Sequence, residues 1–219
     1  MNKIKDKTSK YIKMLLFIVA SLLTILLVFL LVTDKIQSFD LHIYNLITNM
    51  INPTMTVIMK VITDMGSFIV IVTFAFVFSL FILKSKKICL LTFINLADVM
   101  LINLGLKYVF GRPRPQILPL VQESGNSFPS GHAMASFAFY GFIVYLIWLL
   151  QIEKKLKYFL TFILVLLVML IGFSRIYLGV HYFSDVIAGF AIALCYLIVF
   201  ITVIKSYLLK YKKNYQAAR

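Results

Sequence analysis

Polar residues are scarce in this chain. Only 14% of its 219 residues are charged, against 62% that are hydrophobic, and the mean hydropathy is +0.96. Soluble domains are usually nearer half apolar, so too little polar surface exists here to coat a water-facing fold. Cysteine is sparse as well. The two cysteines, Cys89 and Cys195, form no CxxC pair and no metal-ligand spacing, which excludes a zinc or disulfide framework. Both lie in apolar stretches and read as packing residues. Acidic residues number 8 against 22 Lys and Arg, giving a net charge of +14. There is no internal repeat and no low-complexity linker, and the length suits one domain over residues 1–219.

What the chain has in abundance is long apolar runs. A bilayer core of about 30 Å takes a helix of about 20 mostly apolar residues. Six segments meet or approach that length: 14–32, 68–83, 88–106, 133–150, 156–173 and 186–204. The expected fold is therefore all-α, a bundle of six transmembrane helices. The first segment follows basic residues, as a secretory signal would. Its apolar run is too long for one, and no small-residue cleavage site follows at Val32-Thr33-Asp34. It is expected to be a retained helix.

The basic residues are unevenly shared between the connections. Lys3, Lys5, Lys7, Lys10 and Lys13 precede the first span. Lys84, Lys86 and Lys87 separate the second from the third, and Lys154, Lys155 and Lys157 the fourth from the fifth. Lys205, Lys210, Lys212, Lys213 and Arg219 close the chain. The positive-inside rule places all of these in the cytoplasm, with both termini. On the other side, Lys35, Lys60, Lys107, Arg112, Arg114 and Arg175 balance six acids. The net charge is thus cytoplasmic. It implies orientation and attraction to anionic lipid, and it excludes a nucleic-acid surface.

The outer connections are long. Between the first two spans, Asp40 to Ile51 is mildly amphipathic and is broken by Asn52-Pro53. A short interfacial helix is expected there, with His42 as a surface residue. Asp64-Met65-Gly66-Ser67 breaks the chain again before the second span. Lys107, Arg112, Arg114 and Arg175 fall in two short clusters on this outer side. Orientation alone does not explain them.

Three outer clusters can carry chemistry. Lys107 to Pro115 holds three cations at the end of the third span. Arg grips phosphate oxygens in a fork and Lys acts as a point charge; an interfacial anchor would look the same. Pro129-Ser130-Gly131-His132 opens the fourth span. Helix-start amides bind anions, and a plain N-cap explains Ser130 equally well. Ser174-Arg175 leads to His181 and Asp185, four residues apart and so on one helical face. A carboxylate there would fix the ring tautomer and free the other nitrogen as a nucleophile; a satisfied helix-end pair would give the same pattern. Together, the clusters supply cations, a nucleophile and a proton donor at one end of a bundle, as phosphoryl transfer requires.

In these motifs the chain resembles the type 2 phosphatidic acid phosphatase superfamily. That family's pattern K-x-x-x-x-x-x-R-P, P-S-G-H and S-R-x-x-x-x-x-H-x-x-x-D occurs here in order, from Lys107 to Asp185. The resemblance implies six helices, an outward-facing site and a lipid phosphatase working through a phosphohistidine. His181 would attack phosphorus, Asp185 would orient it, and His132 would protonate the leaving oxygen. Lys107, Arg114 and Arg175, with Ser130 and the Gly131 amide, would hold the phosphoryl oxygens. Arg112 does not occupy the motif's fixed position. No cofactor or metal is implied, because fixed cations do the work of a metal. The implied substrate is a phosphorylated lipid in the bilayer: phosphatidylglycerophosphate, phosphatidic acid or undecaprenyl diphosphate. A phosphotransferase would carry the same residues. A transporter is disfavoured by the gathering of polar residues at one face, with Asp98 the exception. Asp98, mid-span near Asn95 and Asn103, is expected to pair inside the bundle. Oligomeric state is left open.

Overall fold

The computed structural model describes residues 2–78 and 86–217, without the side chains of 2–9, 207 and 209–217. All regular structure among them is helical: α1 (Asn2–Val32), α2 (Gln37–Thr48), α3 (Pro53–Asp64), α4 (Phe68–Val77), α5 (Lys86–Phe110), α6 (Gly131–Leu149), α7 (Lys154–Tyr177) and α8 (Phe183–Ala217). Five of these, α1 and α5 to α8, are long and apolar enough to cross a membrane. The bent pair α3 and α4, broken by 53°, makes a sixth if counted as one span. The far end of the second apolar segment (79–83), Lys84, Arg219 and several tail lysine side chains lie outside the described residues.

Helix α6 is the centre of the bundle. Over half of its apolar window (56%) is buried, against 6% for α1. It is apolar on every side, as a helix surrounded by others must be. Phe139, Phe142, Ile143 and Leu146 fill the core with Ile71, Ile88 and Ile171. Water-driven burial counts for little between helices in lipid, so close packing by small residues takes its place. Ala133, Ala138 and Ala193, all buried, line the contact of α6 with α8. A bulky residue at any of them would force the helices apart at about 1–3 kcal/mol.

The segment after α1 departs from the sequence expectation. One helix does follow, but α2 turns Asp40, Tyr44 and Ile47 inward, and Tyr44 donates to the Leu118 carbonyl at 3.0 Å. His42 stays exposed. A second helix, α3, then begins where a break was expected. The Asn52 side chain accepts from the Met55 N–H at 2.9 Å and Pro53 takes the first helical position. Asn-Pro both stops the helix before it and starts the helix after it. The bend to α4 falls at Gly66. A Cβ there would lie 2.5 Å from Ile171 Cγ2 and 3.3 Å from His132 Cδ2, so only glycine lets this corner press on the ring of His132.

Asp98 is paired as expected of an intramembrane acid. The Tyr196 hydroxyl donates to its Oδ2 at 3.2 Å, joining α5 to α8. Asn95, close by, is fully buried with both side-chain polar atoms unbonded.

Candidate active site

The three motif clusters converge where α5 and α7 end and α6 and α8 begin. The Ser130 N–H donates to the Asp185 carbonyl at 3.0 Å, joining the second cluster to the third. Asn103 on α5 donates to the Pro129 carbonyl at 3.0 Å and holds that turn from the other side. Ser130 Oγ caps α6 by accepting from the Ala133 N–H at 3.4 Å. That bond uses a lone pair of the oxygen and leaves its O–H as a donor, and Gly131 and His132 form the first turn of the helix.

His181 sits in the short turn between α7 and α8. Gly179, with φ +71°, makes the tight return that a side chain would strain. His181 Nδ1 lies 3.5 Å from Asp185 Oδ2; only Asp185 is helical, so the two meet across the start of α8 and not on one helical face as the spacing suggests. Asp185 is completely buried. Its Oδ2 also accepts from Ser127 Oγ and from the Tyr182 N–H at 2.9 Å, while its Oδ1 accepts from Arg112 at 2.6 Å. With Nδ1 facing a carboxylate, the proton belongs on that nitrogen and the lone pair on Nε2. Burial pushes the His181 pKa down to about 4, against the upward pull of the Asp185 hydrogen bond and charge, with Arg175 and Arg114 adding to the lowering. The ring is accordingly neutral, as a nucleophile needs to be.

One cation lies against that free nitrogen, and the others are held close by. Arg114 Nη1 is 3.2 Å from His181 Nε2. Its other N–H groups reach the carbonyls of Gly125 at 3.0 Å and Ser124 at 2.9 Å, so the loop before α6 fixes the fork. Lys107 Nζ donates to the carbonyls of Asn126 and Ser127. Arg175 comes from the last turn of α7 and is almost wholly buried. Its Nη1 donates to Thr63 Oγ1 at 2.8 Å, its Nη2 to Glu123, and its Nε has no hydrogen-bond partner. The charges that act on the His132 ring are those of Arg175, Glu123, His181 and Arg114. All eight residues singled out from the motifs thus fall in one neighbourhood.

Four further residues belong to it. Ser127 touches both Asp185 and His181 Nδ1, the latter at 3.4 Å. Thr63 holds Arg175. Glu123 bridges Arg175 and, at 3.8 Å, Arg114. Burial disfavours its charge, but Arg175 above all, with His132 and Arg114, outweighs that and holds its carboxyl below the usual range. Asp40 reaches Arg112 from α2 at 2.7 Å. The sequence marks Asp40 only as the start of a mildly amphipathic stretch, and it carries no signal for Ser127 or Thr63. Among the described residues no group of three or more His, Cys, Asp or Glu is placed to hold a metal ion; the donor set is cationic and suits an anion.

Two cavities reach this neighbourhood, one at Arg114 and one at His132. A cleft of about 670 Å³ is lined by Arg114, Gln116, Gln122, Glu123 and Ser124. A smaller groove of about 160 Å³ runs along Phe68, Ile71, Leu96, Val99 and Met100 to His132. The first is mixed in character, with Pro115, Pro119, Val121 and Val180 also on its wall, and the second is mainly apolar.

Comparison with known proteins gives the family. A profile of the PAP2 superfamily matches residues 87–207. Phosphatidylglycerophosphatase B of Bacillus subtilis (strain 168) is 32% identical over 165 residues, covering 74% of this chain and 81% of that protein. The crystal structure of the transmembrane PAP2-type phosphatidylglycerolphosphate phosphatase from Bacillus subtilis superposes with a TM-score of 0.79 at 29% identity, over 87% of this chain and 96% of that one. Aquifex aeolicus LpxE superposes with a TM-score of 0.59 at 28% identity, over 74% and 94%. With its multiple apolar spans and this match, the chain belongs to the PAP2 superfamily and is a multi-pass membrane phosphatase.

Proposed function

We propose that this enzyme hydrolyses the phosphate ester of a membrane lipid through a phosphohistidine on His181, with the whole chain (1–219) acting as a single catalytic domain. The observation that carries this is the surrounding of His181 Nε2: Arg114 at 3.2 Å, and Arg175 with a buried, unbonded Nε. A buried donor without a partner calls for an acceptor, and a phosphoryl oxygen is a suitable one. Nε2 attacks phosphorus while Asp185 takes the hydrogen bond from Nδ1–H. Lys107, Arg114, Arg175 and the Gly131 amide bear the charge that gathers on the phosphoryl oxygens, and Ser130 keeps that amide at the helix start. The P–O bond to the lipid breaks, and the departing oxygen takes a proton from His132. Water, deprotonated by His132, then cleaves the P–N bond. The products are the lipid alcohol and inorganic phosphate, and His132, charged while the anionic phosphate is bound beside it, returns to its starting state.

The apolar groove that ends at His132 suits the lipid portion, and the larger cleft at Arg114 and Glu123 suits water and released phosphate. The relative from Bacillus subtilis is named for phosphatidylglycerophosphate, and we take a lipid phosphomonoester of that type as the preferred substrate over a polyprenyl diphosphate. The charge asymmetry supports a site on the outer side of the membrane, with both termini in the cytoplasm. The test is phosphate release by purified protein against a panel of lipid phosphates, with His181→Ala alongside. The variant should stay folded in detergent and lose turnover; normal turnover would remove His181 as the nucleophile.

A further inference from the structure

Arg112 sits two residues before Arg114, yet it points away from the other cations. Its Nη1 donates to Asp185 Oδ1 at 2.6 Å and to Ser184 Oγ at 2.8 Å, and its Nη2 donates to Asp40 Oδ2 at 2.7 Å. The guanidinium lies over the Tyr182 ring, 4.1 Å from its centre. Asp40 is fully buried. It accepts from the Ser184 N–H at 2.9 Å and from Ser184 Oγ at 2.5 Å, at the start of α8 where an anion is favoured. One arginine is therefore divided between two buried carboxylates. One of these comes from α2, outside every motif, and the other is the partner of His181.

We infer that Arg112 and Asp40 are positioning residues for the hydrolysis: Arg112 holds Asp185 by Oδ1 so that Oδ2 faces the imidazole, and Asp40 offsets Arg112 so that Asp185 remains a strong acceptor. This rests on His181 acting as proposed above. A guanidinium fork fixes a carboxylate in angle as well as in place. Left to Asp185 alone, the same guanidinium would draw off the charge that the imidazole proton needs. The geometry meets both requirements, because each carboxylate takes one nitrogen of the fork.

Opposite electrostatic signs result for the two residues. The groups that face His181 are Asp185 and Tyr182 beside it, Arg114 and Ser127 from the loop, Arg175 from α7 and His132 from α6. Removing Arg112 leaves Asp185 more negative, which favours the imidazolium. Removing the charge of Asp40 leaves Arg112 uncompensated, which disfavours it. A pair that merely pinned α2 against α8 would lower stability in both variants without moving the ring in opposite directions.

The experiment measures kcat and KM for dioctanoyl phosphatidic acid in detergent, from about pH 3.5 to 9, on purified wild type, Arg112→Gln, Asp40→Asn, the double variant and His181→Ala. The acid limb of kcat/KM reports the free-enzyme ring, and the titration of the substrate is common to all. Arg112→Gln should lower kcat about tenfold or more with KM within about twofold, the pattern of a transition-state effect. Its acid limb should move up by roughly one pH unit. Asp40→Asn should move the limb down, and the double variant should lie between. Limbs that stay put, or that move the same way in both single variants, would overturn the inference. If Arg112→Gln does not fold, Asp40→Asn decides by its sign, since Asn keeps the shape at that position. Turnover by His181→Ala would instead strike the nucleophile assignment, so the two failures are distinguishable.

Discussion

Acidification should weaken the fold through His181, by an amount that can be worked out. The ring is 2% exposed. Burial is the largest cause holding its pKa at about 4, whereas an imidazole in an unfolded chain titrates near ~6.5. The folded value is the depressed one. Above pH ~6.5 the ring is neutral in both states and the fold keeps its full stability. Between ~6.5 and ~4 the unfolded chain takes up a proton that the folded chain refuses, so stability falls with falling pH. Below ~4 both states are protonated and the loss is complete. A gap of about 2.5 in pKa, at about 1.36 kcal/mol for each, amounts to about 3 kcal/mol. The assay is thermal unfolding of purified protein in detergent between about pH 7.5 and 4, for wild type and for His181→Asn, which is polar but does not titrate there. The difference between the two curves isolates this ring from the other titrating groups. Wild type should lose about 3 kcal/mol more than the variant across that range. Parallel curves would refute the buried neutral imidazole, and with it the protonation state that the chemistry requires.

Glu123→Gln should lower KM for a lipid phosphate about three- to tenfold, because the carboxylate occupies the guanidinium groups that a phosphoryl group needs and such a pair contributes about 1 kcal/mol. A rise in KM would instead make Glu123 part of the substrate's own binding. Asp98→Asn should keep full activity and lose about 1 kcal/mol of stability, as the bond from Tyr196 weakens; a loss of turnover without a loss of stability would contradict this. Phosphate release should be unchanged by a chelator, since the cations that face His181 belong to Arg114 and Arg175; chelator-sensitive turnover would count against the mechanism.

Much of this was legible in the sequence because the chemistry is concentrated in short runs. Lys107 to Arg114, Ser130 to His132 and Arg175 to Asp185 are each local, and helix ends bring them together. The six apolar segments are legible for a similar reason, since a bilayer demands length and hydropathy of every span. What the sequence did not show depends on pairing across long intervals. Thr63 meets Arg175, Asp40 meets Arg112, and Glu123 joins two arginines. Each residue is unremarkable until the fold supplies its partner. Helix α3 is a different case. Its start signal, Asn52 before Pro53, was present, but the same pair also ends the helix before it.

The stretch matched by the superfamily profile begins at residue 87, yet Asp40, Thr63 and Gly66 press on the chemistry from earlier in the chain. The hallmark sequences thus make the floor and walls of the chamber, while its roof comes from α2, α3 and the kink after them. Two enzymes bearing the same hallmarks can be roofed differently. What separates their substrate ranges is then to be sought in part between residues 37 and 71, where Phe68 and Ile71 also line the apolar groove.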